Sequence, residues 1–190
     1  IGDGANDVPM IQAAQIGVGI YGREGHQAVN FADFALGEFQ FLKRLVLVQG
    51  RWNYRRTCKF VLFTFWRCAV QVLLCFYFTF CCGFSATILF HDSIRLSFNI
   101  VLAPVICAVG VFDRDVAAKF VLDRPRLYAP GQQDADLNAW IMFQQLLSAG
   151  AHSIFIWSIM YCAFPGLDLK QSGDLYTFGT AVWTVLILDC

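Results

Sequence analysis

A mixed fold is predicted for this chain: a short α/β segment, then an α-helical transmembrane bundle of about four spans, the last incomplete. Three observations predict it. Of the 190 residues, 57% are hydrophobic and 15% charged, with a mean hydropathy of +0.54, whereas soluble domains carry about 25% charged residues. Long apolar runs begin only near residue 60. Ahead of them, glycine turns separate short strand-like and helix-like pieces. The net charge is zero, so the clustered basic excess of a nucleic-acid binder is missing and no nucleic-acid partner is expected.

Residues 1–40 carry the α/β pieces. IQAAQ reads as a short helix, IGVGI as a strand, YGREG as a glycine turn, Gly25 to Asn30 as a second helix and DFAL as another strand. Forty residues are too few to bury a core alone, so this piece is expected to be the end of a larger domain. The polar glycine loop that follows Ile1 at once lacks the pattern of a secretory leader. From Glu38 the sequence turns amphipathic and basic and continues into VLFTFWRCAVQVLLCFYFTFCC. One long helix is expected, with a cytosolic stalk over 41–59 that becomes a span at about residue 60.

The membrane domain, 60–190, is expected to hold spans over 60–83, 95–112, 139–164 and 175–190. The second is kinkable at Pro104, and the last stops short of the roughly 20 residues a crossing helix needs. Arg51, Arg55, Arg56 and Lys59 precede the first span, and Lys119, Arg124 and Arg126 lie between the second and third. The opposite loops hold only Arg95 and Lys170, so the positive-inside bias makes the head and the 113–137 loop cytosolic. The eight cysteines show no metal or redox spacing and read as small buried hydrophobes. His152, Gln144 and Gln145 read as makers of interhelical hydrogen bonds. The FYFTF run, with Trp52 and Tyr54, reads as interfacial anchoring.

Chemistry concentrates in the opening GDGAND. Glycine lets the backbone turn sharply at a strand edge, and short carboxylates there can reach a cation. Mg²⁺ takes a few carboxylate oxygens together with waters and phosphate oxygens. Asp3 and Asp7 can supply such ligands, and Asn6 can hydrogen-bond a phosphoryl group. Asp-Gly and Asn-Asp also make ordinary turns, and six residues alone do not separate the two readings.

GDGANDVPMIQAAQIGVGI resembles the hinge region of P-type ATPases. GREGHQAVNFADFAL, FLKRLVLVQGRWNYRR, KFVLFTFWR, GFS at 83–85, VGVFDRDV at 109–116 and RLYAPGQ at 126–132 resemble the type IV branch, the phospholipid flippases. The resemblance extends over nearly the whole chain. It implies that residues 1–40 end a haloacid-dehalogenase-like phosphorylation domain and that the spans match the fifth to seventh and part of the eighth. The chain is then a fragment, for nothing in it matches the phosphorylated-aspartate motif DKTGT, so no catalytic nucleophile is expected here.

By the same resemblance, Asp3 and Asp7 bind Mg²⁺, and Asn6 and Asp7 face the nucleotide or phosphoryl group. ATP is the substrate, and an aspartyl-phosphate cycle drives phospholipid from the outer to the cytosolic leaflet. An accessory β subunit and a plasma-membrane, Golgi or endosomal location are also implied. Several positions depart from the family pattern. Gln15 and Gln49 stand where histidine is common, Ala32 and Phe34 alter a Ser-Asp-Tyr start at Asp33, and a Lys-Asn pair reads Arg67-Cys68. The sixth-span Asn-x-x-Phe-Thr-Ser-Leu-Pro stretch is reduced to Asn99 and Pro104. Arg67 and Asn99 are therefore the lipid-path candidates, with Arg67 expected to pair with polar groups on neighbouring spans. A P-type cation pump is the rival enzyme, but residues 57–91, 96–112 and 138–164 hold no Asp or Glu for a cation site. The rival from another class is a truncated, non-catalytic membrane protein that acts by interaction only.

Overall fold

The computed structural model describes residues 1–22, 26–163 and 172–189. The end of the YGREG turn, the start of the helix expected at Gly25, and Lys170 lie outside the described residues. The chain is mostly helical and divides into two compact units, residues 1–53 with 114–129 and residues 54–113 with 130–190.

In the first unit, strands β1 (Val18–Ile20) and β2 (Phe34–Leu36) pair in parallel, Val18 opposite Phe34 and Ile20 opposite Leu36. Parallel neighbours need a crossover, and helix α2 (Gln27–Asn30) supplies it. Gly19 is what lets α2 pack so closely. A Cβ there would lie 2.8 Å from the Val29 Cα and 2.9 Å from the Ala28 carbonyl oxygen. Helix α1 (Val8–Ala13) precedes β1, and Ile11, Val18 and Ala28 are buried. Pro9 sits in the first turn of α1, where its missing N–H leaves no bond unmade.

Helix α3 (Phe41–Arg44) continues through a π-helical turn, Leu45–Gly50, into α4 (Arg51–Cys81). The helical path over Phe41–Cys81 is continuous, as the sequence leads one to expect, but its hydrogen-bond register changes over those six residues. Helix α6 (Ala118–Asp123) and a 3₁₀ turn over Pro125–Tyr128 fold against this region. Val48, Trp52 and Val121 form a buried cluster, with Val116 and Leu122 packed on it.

The second unit is built on α4 from Tyr54 onward, α5 (Asp92–Phe112), α8 (Ala139–Ala163) and α9 (Ser172–Asp189), with the short α7 (Ala129–Gln132) ahead of α8. Its core reads as helical stripes. Val70, Leu74 and Phe78 of α4 meet Phe98 and Leu102 of α5, Ala149, Ile156 and Met160 of α8, and Phe178, Val182 and Leu186 of α9. Steps of four and seven residues keep each stripe on one face. Among the described residues, two helices are long and apolar enough to cross a membrane: the continuous run Phe41–Cys81, and Ala139–Ala163. Pro104 lies inside α5 without ending it.

Candidate functional site

The opening loop is built on β1. The Gly2 N–H donates to the Val18 carbonyl at 3.0 Å, and the Ile20 N–H donates to the Gly2 carbonyl at 2.9 Å. Residue 2 is thereby tied to the sheet, and the chain leaves it at Asp3. A 3₁₀ turn, Ala5–Asp7, leads into α1, with Asp7 as its N-cap residue. The Asp7 carboxylate turns back: its Oδ2 accepts from the Asp3 N–H at 3.1 Å and from the Gly4 N–H at 3.5 Å. Gly2 leaves the room this requires, since a Cβ there would lie 2.6 Å from Asp7 Oδ2.

The structure therefore brings Asp3, Asn6 and Asp7 together in one loop, with Asp3 and Asn6 exposed and Asp7 half-buried. A carboxylate offers about four acceptor positions, so the bonds to Asp7 Oδ2 leave acceptor capacity at the loop. One exposed and one half-buried carboxylate fit Mg²⁺, which takes one or two carboxylates and fills its octahedron with waters and phosphate oxygens. Among the described residues, no cluster of three or more His, Cys, Asp or Glu could hold a metal. A four-ligand zinc site is a different donor set from this loop.

In the second unit, Arg67 is 8% exposed, and its guanidinium lies 5.5 Å from the Phe98 ring centroid. Its buried Nε has no hydrogen-bond partner among the described residues. The polar pairing expected of Arg67 is replaced by an aromatic face, because α5 presents its core stripe, Phe98 and Leu102, to α4. Burying a charge near a helix centre in a bilayer costs about 2.5–3.5 kcal/mol, and a cation–π contact offsets about 0.5–2 kcal/mol of it. The unused Nε–H remains an open demand for an acceptor. Asn99 is exposed, beside Phe98 in sequence but not on its buried face.

His152 differs from expectation in another way. Its Nδ1 lies 2.9 Å from the Ser148 carbonyl oxygen of its own helix and donates to it, and its ring meets Trp66 edge-on at 5.4 Å. Buried Ser153 likewise donates to the Gly150 carbonyl within α8, and also meets the Tyr77 hydroxyl of α4 at 3.3 Å. A groove of about 460 Å³ beside His152 is walled by Phe63, Trp66, Gln145 and Ser148, with Lys59 at its rim. Its polar lining is largely committed, His152 to Ser148 and Lys59 to Asp113.

Sequence reasoning used the stalk cations for orientation only. In the first unit, Arg51 pairs with Asp115 at 2.7 Å and donates to the Leu127 carbonyl. In the second, Arg55 pairs with Asp136 at 3.2 Å, Arg56 donates to the Asp113 carbonyl at 2.6 Å, and Lys59 pairs with Asp113. A signal was present: Asp113, Asp115 and Asp136 cluster in 113–137, the segment read as lying on the same side of the membrane as the basic residues 51–59.

Residues 29–190 match the family described as phospholipid-translocating P-type ATPase, C-terminal. The chain is 41% identical over 192 residues to human probable phospholipid-transporting ATPase IM, covering 99% of this chain and 16% of that protein. Phospholipid-transporting ATPase IC of Xenopus tropicalis is 40% identical over 192 residues, with 99% and 15% covered. Human phospholipid-transporting ATPase VA is 40% identical over 191 residues, with 99% and 12% covered. The chain thus spans 12–16% of the length of these curated relatives.

Proposed function

The chain belongs to the phospholipid-translocating P-type ATPases, and we propose that it forms part of an ATP-driven flippase that moves phospholipid from the outer to the cytosolic leaflet. In this reading, residues 1–40 end a haloacid-dehalogenase-like phosphorylation domain, 41–59 form the cytosolic stalk, and 60–190 form the membrane domain with four spans. The observation that carries it is an identity of 40–41% across 99% of the chain with proteins named as phospholipid-transporting ATPases.

The opening loop supports an aspartyl-phosphate cycle whose nucleophilic aspartate lies outside these 190 residues. The Asp3 and Gly4 amides hold the Asp7 carboxylate in place before any ligand arrives, so its charge is preorganised at the loop. Asp3 and Asp7 would hold Mg²⁺, which neutralises charge on a transferred phosphoryl group. Asn6, exposed at the tip, offers its amide to that group. In the membrane, the unpartnered Arg67 Nε supports a role beside the lipid path, where a headgroup oxygen would satisfy it. Asn99 adds a second polar group on the next helix. An accessory β subunit and a plasma-membrane, Golgi or endosomal setting complete the proposal.

The test is made on the complete protein in lipid vesicles with labelled ATP and Mg²⁺. The expected product is a covalent label stable in acid and released by hydroxylamine, whose breakdown phospholipid accelerates. Arg67→Ala should blunt that acceleration by about tenfold while label still forms, with Arg67→Lys milder. A complete protein that forms no such label acts by interaction only, and the flippase reading falls.

A further inference from the structure

The stalk carries a feature that the family reading does not use. Six consecutive residues, Leu45–Gly50, are π-helical inside a helical path that is otherwise α from Phe41 to Cys81. Such turns are rare inside α-helices and are frequent at functional sites, which directs attention to what lies against this one. Part of the cause is local: Val46, Val48 and Gly50 are weak α-helix formers. The rest comes from the 114–129 segment of the same unit.

Arg51, the first residue after the π-turn, is gripped there. Its Nε and Nη2 donate to Asp115 Oδ2 at 3.0 and 2.7 Å, and both side chains of the pair are 10% exposed. Its Nη1 donates to the Leu127 carbonyl. The neighbouring Trp52 indole donates to the Val116 carbonyl at 3.1 Å, and the Arg114 guanidinium covers its ring at 5.3 Å. Val48, inside the π-turn, is fully buried with Trp52 and Val121. A charged clamp below the turn and an apolar seat within it both belong to 114–129.

Returning the turn to α geometry would absorb one residue. The helix on one side would rotate by about 100° and shift by about 1.5 Å relative to the other. That is a step between two discrete packings, the kind of element that couples distant sites. We propose that Leu45–Gly50 is a register switch in the stalk, held in its π state by the 114–129 segment. Arg51 and Asp115 are then positioning residues of the transport cycle. The inference rests on the flippase reading.

The experiment uses the complete protein with Asp115→Asn, which keeps the shape of the clamp and removes its charge. Trp52→Phe serves as a milder second variant that deletes one hydrogen bond. Hydrogen exchange at the amides of 46–51 should speed up on the order of tenfold in Asp115→Asn. Phosphoenzyme should form at the parent rate while its lipid-stimulated breakdown slows by about tenfold. Trp52→Phe should move both readouts the same way by a smaller factor. Exchange that stays at the parent rate in both variants overturns the switch. Faster exchange with an unaltered ratio of formation to breakdown also overturns it, because the clamp is then structural only. A parent protein that forms no phosphoenzyme removes the flippase reading and this inference together, whereas an active parent with indifferent variants removes this inference alone.

Discussion

Asp7 has two roles in the opening loop, and one substitution separates them. As an acceptor it closes the turn through the Asp3 and Gly4 amides; as a charge, under the proposed function, it would serve phosphoryl chemistry. Asp7→Asn keeps an oxygen for the amides and removes the charge. The backbone bonds weaken from charge-assisted to neutral, a loss of about 1 kcal/mol, so the loop should still fold. Mg²⁺-dependent turnover of the complete protein should nevertheless fall on the order of a hundredfold. Steady-state ATPase measurements across a Mg²⁺ titration check this, and full turnover in the variant would leave Asp7 as a turn residue only. The loop's residue types suggested a cation site but, taken alone, did not separate it from an ordinary Asp-Gly and Asn-Asp turn. Its inward turn was not legible, since that depends on the space Gly2 leaves. Arg67 shows the same division: its place within the first apolar run is read from the sequence, but its seat on Phe98 follows from which face of α5 packs there.

Helices and strands were legible wherever one face is continuously apolar. The Val70, Leu74 and Phe78 stripe announces a buried helix face in sequence, and Val18–Ile20 and Phe34–Leu36 sit where apolar runs are bounded by glycine or acidic residues. The π-turn was illegible because weak α-helix formers such as Val46, Val48 and Gly50 do not by themselves distinguish a π-turn from an α-turn; the contacts that hold it come from Asp115, Val116 and Val121, some 64–73 positions away. The ion pairs of Arg51, Arg55 and Lys59 are equally non-local. Close approach between elements is a third property hidden from pattern reading. Gly179 of α9 is buried against the Leu89 carbonyl, with no space for a side chain. Because that neighbour is backbone rather than a flexible side-chain end, Gly179→Ala must move α9 or the 83–91 connection. Such overpacking typically costs about 1–3 kcal/mol, against a gain of about 0.5–1 kcal/mol from removing glycine from a helix interior. The net effect should be a lower thermal midpoint of the detergent-purified complete protein. A midpoint equal to or above the parent's would mean that α9 does not rest on Leu89.

At the scale of the molecule, the two units hold different parts of the proposed site. The first contains Asp3, Asn6 and Asp7; the second contains Arg67 and Asn99. Phosphoryl transfer needs a nucleophile, a nucleotide site and charge-stabilising groups held together, and the opening loop is proposed to supply only the last of these. The chain has no DKTGT, and it spans 12–16% of its relatives' length. Residues 1–190 expressed alone should therefore form no covalent phosphoenzyme, even with Asp3 and Asp7 intact. The isolated chain is purified in detergent and incubated with labelled ATP and Mg²⁺, and acid-stable label is counted before and after hydroxylamine. Background counts are expected at every Mg²⁺ concentration. Label that survives acid and leaves with hydroxylamine would show that a carboxylate of this chain accepts phosphate. Asp3 and Asp7 would then be candidate nucleophiles rather than cation ligands. Asp7→Asn in the isolated chain would distinguish the two residues, because a nucleophile cannot be replaced by its amide, whereas loss of a cation ligand lowers label without abolishing it.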